Sequence, residues 1–79
     1  MNPHTLIALT DAPLGRRLRV RHLGTHPELS SRLREMGLFE NAVIRCITKG
    51  DGTIICEVCN TRVGMNNRVA RTIVVSSSE

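Results

Sequence analysis

Tryptophan and tyrosine are absent, and Phe39 is the one aromatic residue. Grooves for proline-rich peptides are lined with aromatics, and single-stranded nucleic acid is held on aromatic platforms. The chain has little from which to build either, so no nucleic-acid partner is expected. Long apolar runs are missing too, since none approaches the ~18 residues that span a bilayer. Met1-Asn2-Pro3-His4 has no basic flank leading into an apolar stretch, so no secretory signal is expected and a cytoplasmic location is. No Gly-x-x-x-x-Gly-Lys-Ser/Thr loop is present to cradle a nucleotide's phosphates. An enzyme is the least expected class, because no nucleophile–base–orienter set assembles from 3 His and 7 scattered acids. No catalytic residue, cofactor or metal ligand is therefore assigned.

What is there describes a small soluble domain. The chain has 79 residues, 41% of them apolar and 23% charged. That is enough for one core and one domain, residues 1–79, with no room for a large enclosed cavity. The net charge is +4, and arginine supplies nearly all of it, Lys49 being the sole lysine. Such a balance fits an anionic surface, or a protein that simply keeps its charge away from zero.

The cysteines are Cys46, Cys56 and Cys59. An odd count in a reducing compartment argues against a disulfide framework. Cys56-Glu57-Val58-Cys59 has the spacing of a zinc half-site, but the stretch reads as a strand, and residues three apart on a strand face opposite ways. The second half-site is missing as well. The expectation is two small buried thiols and one half-exposed one.

Along the chain, residues 1–5 look loose, Leu6 to Leu9 is a short apolar run, and Thr10 to Gly15 reads as a turn. From Arg17 to Leu23 polar and apolar residues alternate, which predicts a strand with Leu18 and Val20 inward and Arg17, Arg19 and Arg21 outward. Thr25 and Glu28 have capping-box spacing, with Pro27 tolerated in the first turn. Leu29, Leu33 and Met36 share one helical face, Glu28 and Arg32 form an i,i+4 pair, and Gly37 then Leu38 fit a left-handed cap. The pattern predicts strands over 42–48 and 53–59 around a Lys49–Gly52 hairpin turn, with two glycines supplying positive φ. Side-chain parity places Cys46 opposite Cys56 or on a close diagonal. A turn at Asn60-Thr61, a strand over 62–65, a turn or single short helical turn at 66–70, a strand over 71–75 and a polar tail over 76–79 complete the reading. Five short strands, one interrupting helix and tight turns predict an all-β, small, strongly bent barrel whose ordered core spans about 5–75.

In this order and spacing the chain resembles the bacterial ferrous iron transport protein A family (FeoA), small SH3-like barrels. The resemblance rests on Arg32-Leu33-Arg34-Glu35-Met36-Gly37-Leu38, the hairpin after it, and Thr61-Arg62-Val63-Gly64-Met65 leading into Val69-Ala70-Arg71-Thr72-Ile73-Val74-Val75. It covers roughly residues 5–75. Three positions depart from the family pattern: Glu40-Asn41 replaces Pro-Gly, Asn60 replaces Gly, and Gly64-Met65 replaces a leucine. Asn is the residue best able to replace Gly at positive φ.

The resemblance implies an accessory protein of bacterial ferrous iron uptake. Its partner would be the membrane ferrous iron transporter, which carries a GTPase domain on the cytoplasmic side. The chain itself would be a binding module in the cytoplasm or at the inner face of the membrane, with self-association open to it. Two surfaces are candidates. One is the corner formed by Met36, Leu38 and Phe39, where the sole aromatic is a natural interface anchor; against this, Met36 and Leu38 would serve equally as core and Phe39 as a plug. The other is the row Arg17, Arg19 and Arg21, with Arg16 beside it, suited to bidentate contact with carboxylates or anionic headgroups. The competing readings are a metal-responsive regulatory domain, since similar barrels end iron-dependent repressors, and a basic nucleic-acid-binding barrel, which predicts steep salt dependence.

Overall fold

Two tight turns set the register of the central strands in the computed structural model, which describes residues 1–79. Strand β3 (Val43–Gly50) turns through Asp51 and Gly52 into β4 (Thr53–Val58), and β4 turns through Cys59 and Asn60 into β5 (Thr61–Asn66). All four turn residues have positive φ, at 52° and 76° in the first turn and 50° and 65° in the second. Positive φ at both central residues is the pattern of the type I′ hairpin, whose twist matches that of its strands. Both turns differ from expectation by a residue. In the first, Asp51 rather than Gly50 takes the positive φ. In the second, the turn is Cys59-Asn60 rather than Asn60-Thr61.

Preceding these are β1 (Ile7–Ala8), a single 3₁₀ turn (Leu9–Asp11), β2 (Arg17–Leu23) and helix α1 (Pro27–Glu35); following them are α2 (Asn67–Ala70) and β6 (Ile73–Ser77). The strands form one antiparallel sheet in the order β1-β6-β2-β3-β4-β5. Its inner face buries Leu18, Val20, Ile44, Ile54, Val58 and Val75, among others, into one core. The two edge strands do not pair with each other. Instead, α2 at one edge packs against the 3₁₀ turn at the other. Lys49 Nζ donates to the carbonyls of Thr10 and Ala12, pinning that turn to the β3–β4 hairpin. The SH3-like barrel is thus closed by side chains and short helical turns rather than by a last row of sheet hydrogen bonds.

Several local expectations change. The helix is capped by His26, whose Nδ1 accepts from the Glu28 N–H at 3.3 Å, and not by Thr25. Pro27 is the first helical residue, so the cap falls on the residue before it. Glu28 and Arg32 form no ion pair; the two pairs present are Arg16–Glu79 and Arg34–Glu40. β6 extends to Ser77, and Ser76 and Ser77 are buried, so the polar tail begins two residues later than expected.

Candidate docking surface

Helix α1 ends in a glycine-capped reversal. The Leu38 N–H donates to Leu33 O at 2.8 Å, and the Gly37 N–H donates to Arg34 O at 3.0 Å. This is the Schellman pairing, and it needs the residue between cap and closing contact in the left-handed region, which Gly37 occupies at φ +98°. Leu38 is fully buried at 0% exposure and closes the motif against the core, where Leu33 is buried too. The next four residues, Phe39 to Ala42, form a second turn, closed by the Ala42 N–H on Phe39 O at 3.0 Å. Asn41 takes φ +73° in its third position. A turn of this type favours proline then glycine at its two centres, so Glu40-Asn41 keeps the backbone with other residues. Arg34 stabilises it from the helix, donating from Nε to Glu40 Oε1 at 3.1 Å and from Nη2 to Oε2 at 3.0 Å. Those bonds, with Glu40's own amide, hold the carboxyl down at about 2.

Met36 and Phe39 flank the reversal on the outside while Leu38 between them turns inward. Met36 and Phe39 are each 44% exposed. Of the three apolar residues expected at this corner, Met36 and Phe39 face solvent and Leu38 is core. Both present apolar surface to solvent at a backbone held by hydrogen bonds.

Along β2 the alternation holds as far as Arg21: Leu18 and Val20 are buried, Arg17 and Arg21 exposed and Arg19 half-buried. A bulge between Val20 and His22 leaves Arg21 without a cross-strand partner in the register. Arg19 is half-buried; its Nη1 donates to Asn41 O at 2.8 Å and its Nη2 to Ser78 Oγ at 3.5 Å, so it ties the corner turn to the C-terminus. Arg17 alone of the three is exposed without a partner and in line with other strands. The register places it opposite Arg45, Arg45 opposite Glu57, and Glu57 opposite Arg62. The row therefore runs across four strands. Arg45, Glu57 and Arg62 escaped sequence reasoning because only strand pairing brings them together. Beside the row, an open groove of about 230 Å³ is lined by Arg17, Arg45, Glu57, Val43, Cys59 and Asn60, with Ile44 below.

Cys46 and Cys56 are buried and Cys59 is exposed. Cys56 and Cys59 thus lie in different environments, one in the core and one in the β4–β5 turn. No group of three or more His, Cys, Asp or Glu is placed to hold a metal ion. No helix is long and apolar enough to cross a membrane.

Comparison with known proteins follows the same lines. The model of the FeoA domain family matches residues 7–77. No curated protein sequence matches the chain. Among solved structures, the FeoA protein from Chlorobium tepidum superposes with a TM-score of 0.85 at 22% identity, covering 92% of this chain and 71% of that one. An iron uptake regulatory protein (FeoA) superposes with a TM-score of 0.80 at 22% identity, covering 91% of this chain and 97% of that one. A manganese-dependent transcriptional repressor superposes with a TM-score of 0.82 at 18% identity, covering 98% of this chain but 44% of the repressor. At these identities the structural likeness speaks for the fold.

Proposed function

The chain belongs to the FeoA domain family and so to ferrous iron transport; from that premise we propose that it is a cytoplasmic accessory module that docks on the membrane ferrous iron transporter and biases its assembly or its GTPase cycle. Iron is the cargo of that system, and the chain's part is to bind the machine that carries it. The observation that carries this reading is the corner: Phe39 and Met36 are exposed on a turn held by the Schellman pairing and the Arg34–Glu40 clamp. Side chains carried on a backbone already held in place leave less of the chain to be ordered on binding, which favours an interface anchor. To bias a nucleotide cycle, the module must bind the transporter's states with different affinity.

The test is association of the purified chain with detergent-solubilised transporter, measured without nucleotide, with GDP and with a non-hydrolysable GTP analogue. The expected result is binding that differs between nucleotide states and weakens in Phe39→Ala. Absence of binding in every state removes the proposal.

A second reading is favoured by the likeness to the manganese-dependent repressor. In that reading the domain is a regulatory module that responds to a divalent metal. It predicts a metal-dependent change in oligomeric state, read by sedimentation with and without Mn²⁺ or Fe²⁺, and no dependence on the transporter.

A further inference from the structure

We infer that the groove beside Arg17 and Arg45 is a binding site for an acidic helical segment of a protein partner. This deepens the docking reading above by naming a second surface and the chemistry it takes.

One pairing in the sheet is not favoured by folding alone. Arg17 and Arg45 are direct cross-strand neighbours. Like charges directly opposite each other destabilise a sheet. Glu57 stands across the strand from Arg45, but neither guanidinium has a hydrogen-bonded or ion-paired partner, the two ion-paired carboxylates being Glu40 and Glu79. Elsewhere the basic side chains that matter to the fold are tied down. Arg16 meets Glu79, Arg19 bonds Asn41 and Ser78, Arg34 clamps Glu40, and Lys49 caps the 3₁₀ turn. Other arginines are free as well, on the helices and at the β2 bulge, but the sheet register lines up Arg17, Arg45 and Arg62. Two guanidiniums one strand apart present ten N–H donors in two planar forks, suited to a pair of carboxylates.

The groove also says which anion. Glu57 stands in the row between Arg45 and Arg62. A run of phosphates, whether nucleic acid or a lipid surface, meets repulsion there, whereas a peptide can place a cation opposite it. The groove wall carries apolar surface at Val43, which is exposed, and the Phe39 corner lies one turn before that residue in the chain. Neighbouring strands are about 4.8 Å apart, so the row steps at that interval. Side chains at i and i+4 on a helix are about 5–6 Å apart, close to the same step. A partner helix with acids at i and i+4, a base one turn on and an acid after it is therefore complementary to Arg17, Arg45, Glu57 and Arg62.

The experiment is a ¹⁵N NMR titration, which detects weak binding. The probe is an alanine-rich helical peptide carrying Glu at i and i+4 with one leucine between them. Parallel arms use inorganic phosphate and bicelles containing phosphatidylglycerol. The expected result is shifts clustered on Arg17, Val43, Arg45 and Cys59 with the peptide, lost at high salt, and weaker or scattered shifts in the other arms. Arg17→Glu with Arg45→Glu should weaken the peptide about tenfold or more, while Arg68→Glu with Arg71→Glu, of equal charge change at exposed positions outside the row, should change it less than about twofold. The melting temperature of Arg17→Glu should hold or rise, since it converts a like-charge pair into an opposite one. No clustered shifts, equal loss in Arg68→Glu with Arg71→Glu, or stronger clustering with bicelles overturns the inference. Transporter association that survives Arg17→Glu with Arg45→Glu while peptide binding is lost leaves the docking reading standing and places the dock elsewhere. Peptide binding without transporter association removes the docking reading alone.

Discussion

Cys46 and Cys56 stand directly opposite each other across β3 and β4, their sulfurs 3.5 Å apart and both sealed in the core. They pack as neighbouring thiols, and the hydrogen bond with Cys46 together with burial pushes the Cys56 thiol up. The thiolate is the nucleophile, so a buried thiol in such a place is inert. Cys59, in the exposed β4–β5 turn, is the accessible one. Iodoacetamide should modify Cys59 alone in the folded protein, with Cys46 and Cys56 reacting only after denaturation, as intact-mass spectrometry can count. Cys56→Ser should lower stability by about 1–3 kcal/mol, because a hydroxyl there meets an apolar core.

Gly37 and Gly52 both have positive φ, and they should respond differently to alanine. A Cβ at Gly52 meets open space, so Gly52→Ala costs the backbone term alone, about 1–2 kcal/mol. A Cβ at Gly37 comes within 3.1 Å of Val58 Cγ1 and 3.2 Å of Cys59 Sγ. Val58 is packed in the core and has little room to move. Gly37→Ala should therefore be the more destabilising, by about 1 kcal/mol or more beyond Gly52→Ala, in denaturant titrations of the two variants. Equal losses would show that the crowding is relieved elsewhere.

Ser76 is buried and its hydroxyl has no hydrogen-bond partner. An unsatisfied buried hydroxyl is destabilising, and removing it should help. Ser76→Ala should hold or raise stability by up to about 1 kcal/mol, while the isosteric Ser76→Cys should behave like the alanine variant. A loss in both would mean that the hydroxyl has a partner in solution.

The Arg34–Glu40 clamp sets a pH dependence. Its two hydrogen bonds hold the Glu40 carboxyl down at about 2, below the ordinary carboxylate range. For a depressed carboxyl, the stabilisation is full above its ordinary value and is lost as pH falls through the folded-state value. The clamp therefore persists through mild acid and opens towards pH of about 2. A ¹³C NMR titration of the Glu40 carboxyl should show its midpoint there, and Arg34→Met should return it towards the ordinary range. An unshifted midpoint in the parent chain would mean that the clamp does not form.

Sequence reasoning carried far where a local rule decides the outcome. Leu18 and Val20 inward, Gly37 as a left-handed cap, Asn60 at positive φ and Cys46 facing Cys56 follow from alternation, turn chemistry and parity, and Asn41 at positive φ from the resemblance, where it stands in place of glycine. It failed where two local signals competed. Pro27 displaced the helix cap from Thr25 to His26, and Asp51 took the positive φ expected of Gly50. Alternation placed Arg17 and Arg21 outward but could not report the bulge at Arg21 or the bonds that half-bury Arg19. Arg17, Arg45, Glu57 and Arg62 are distant in sequence, and no periodicity along one strand can report an alignment made across four.

Leu38 and Phe39 are adjacent in sequence and opposite in environment, which separates folding from docking. Leu38 is fully buried and closes the Schellman motif, whereas Phe39 is 44% exposed at the head of the following turn. Leu38→Ala should cost about 2–5 kcal/mol, the range for emptying a buried leucine site, and lower the melting temperature accordingly. Phe39→Ala should shift stability by less than about 1 kcal/mol, because much of the ring is already in water. If the corner is an interface anchor, the ranking inverts in binding: Phe39→Ala should weaken transporter association by about 2 kcal/mol, the scale of an interface hot spot, at temperatures where both variants are folded. Thermal melts paired with affinity measurements on the two variants decide it. A large stability loss in Phe39→Ala would make the ring part of the core, and unchanged affinity in a stably folded Phe39→Ala would take the corner out of the interface.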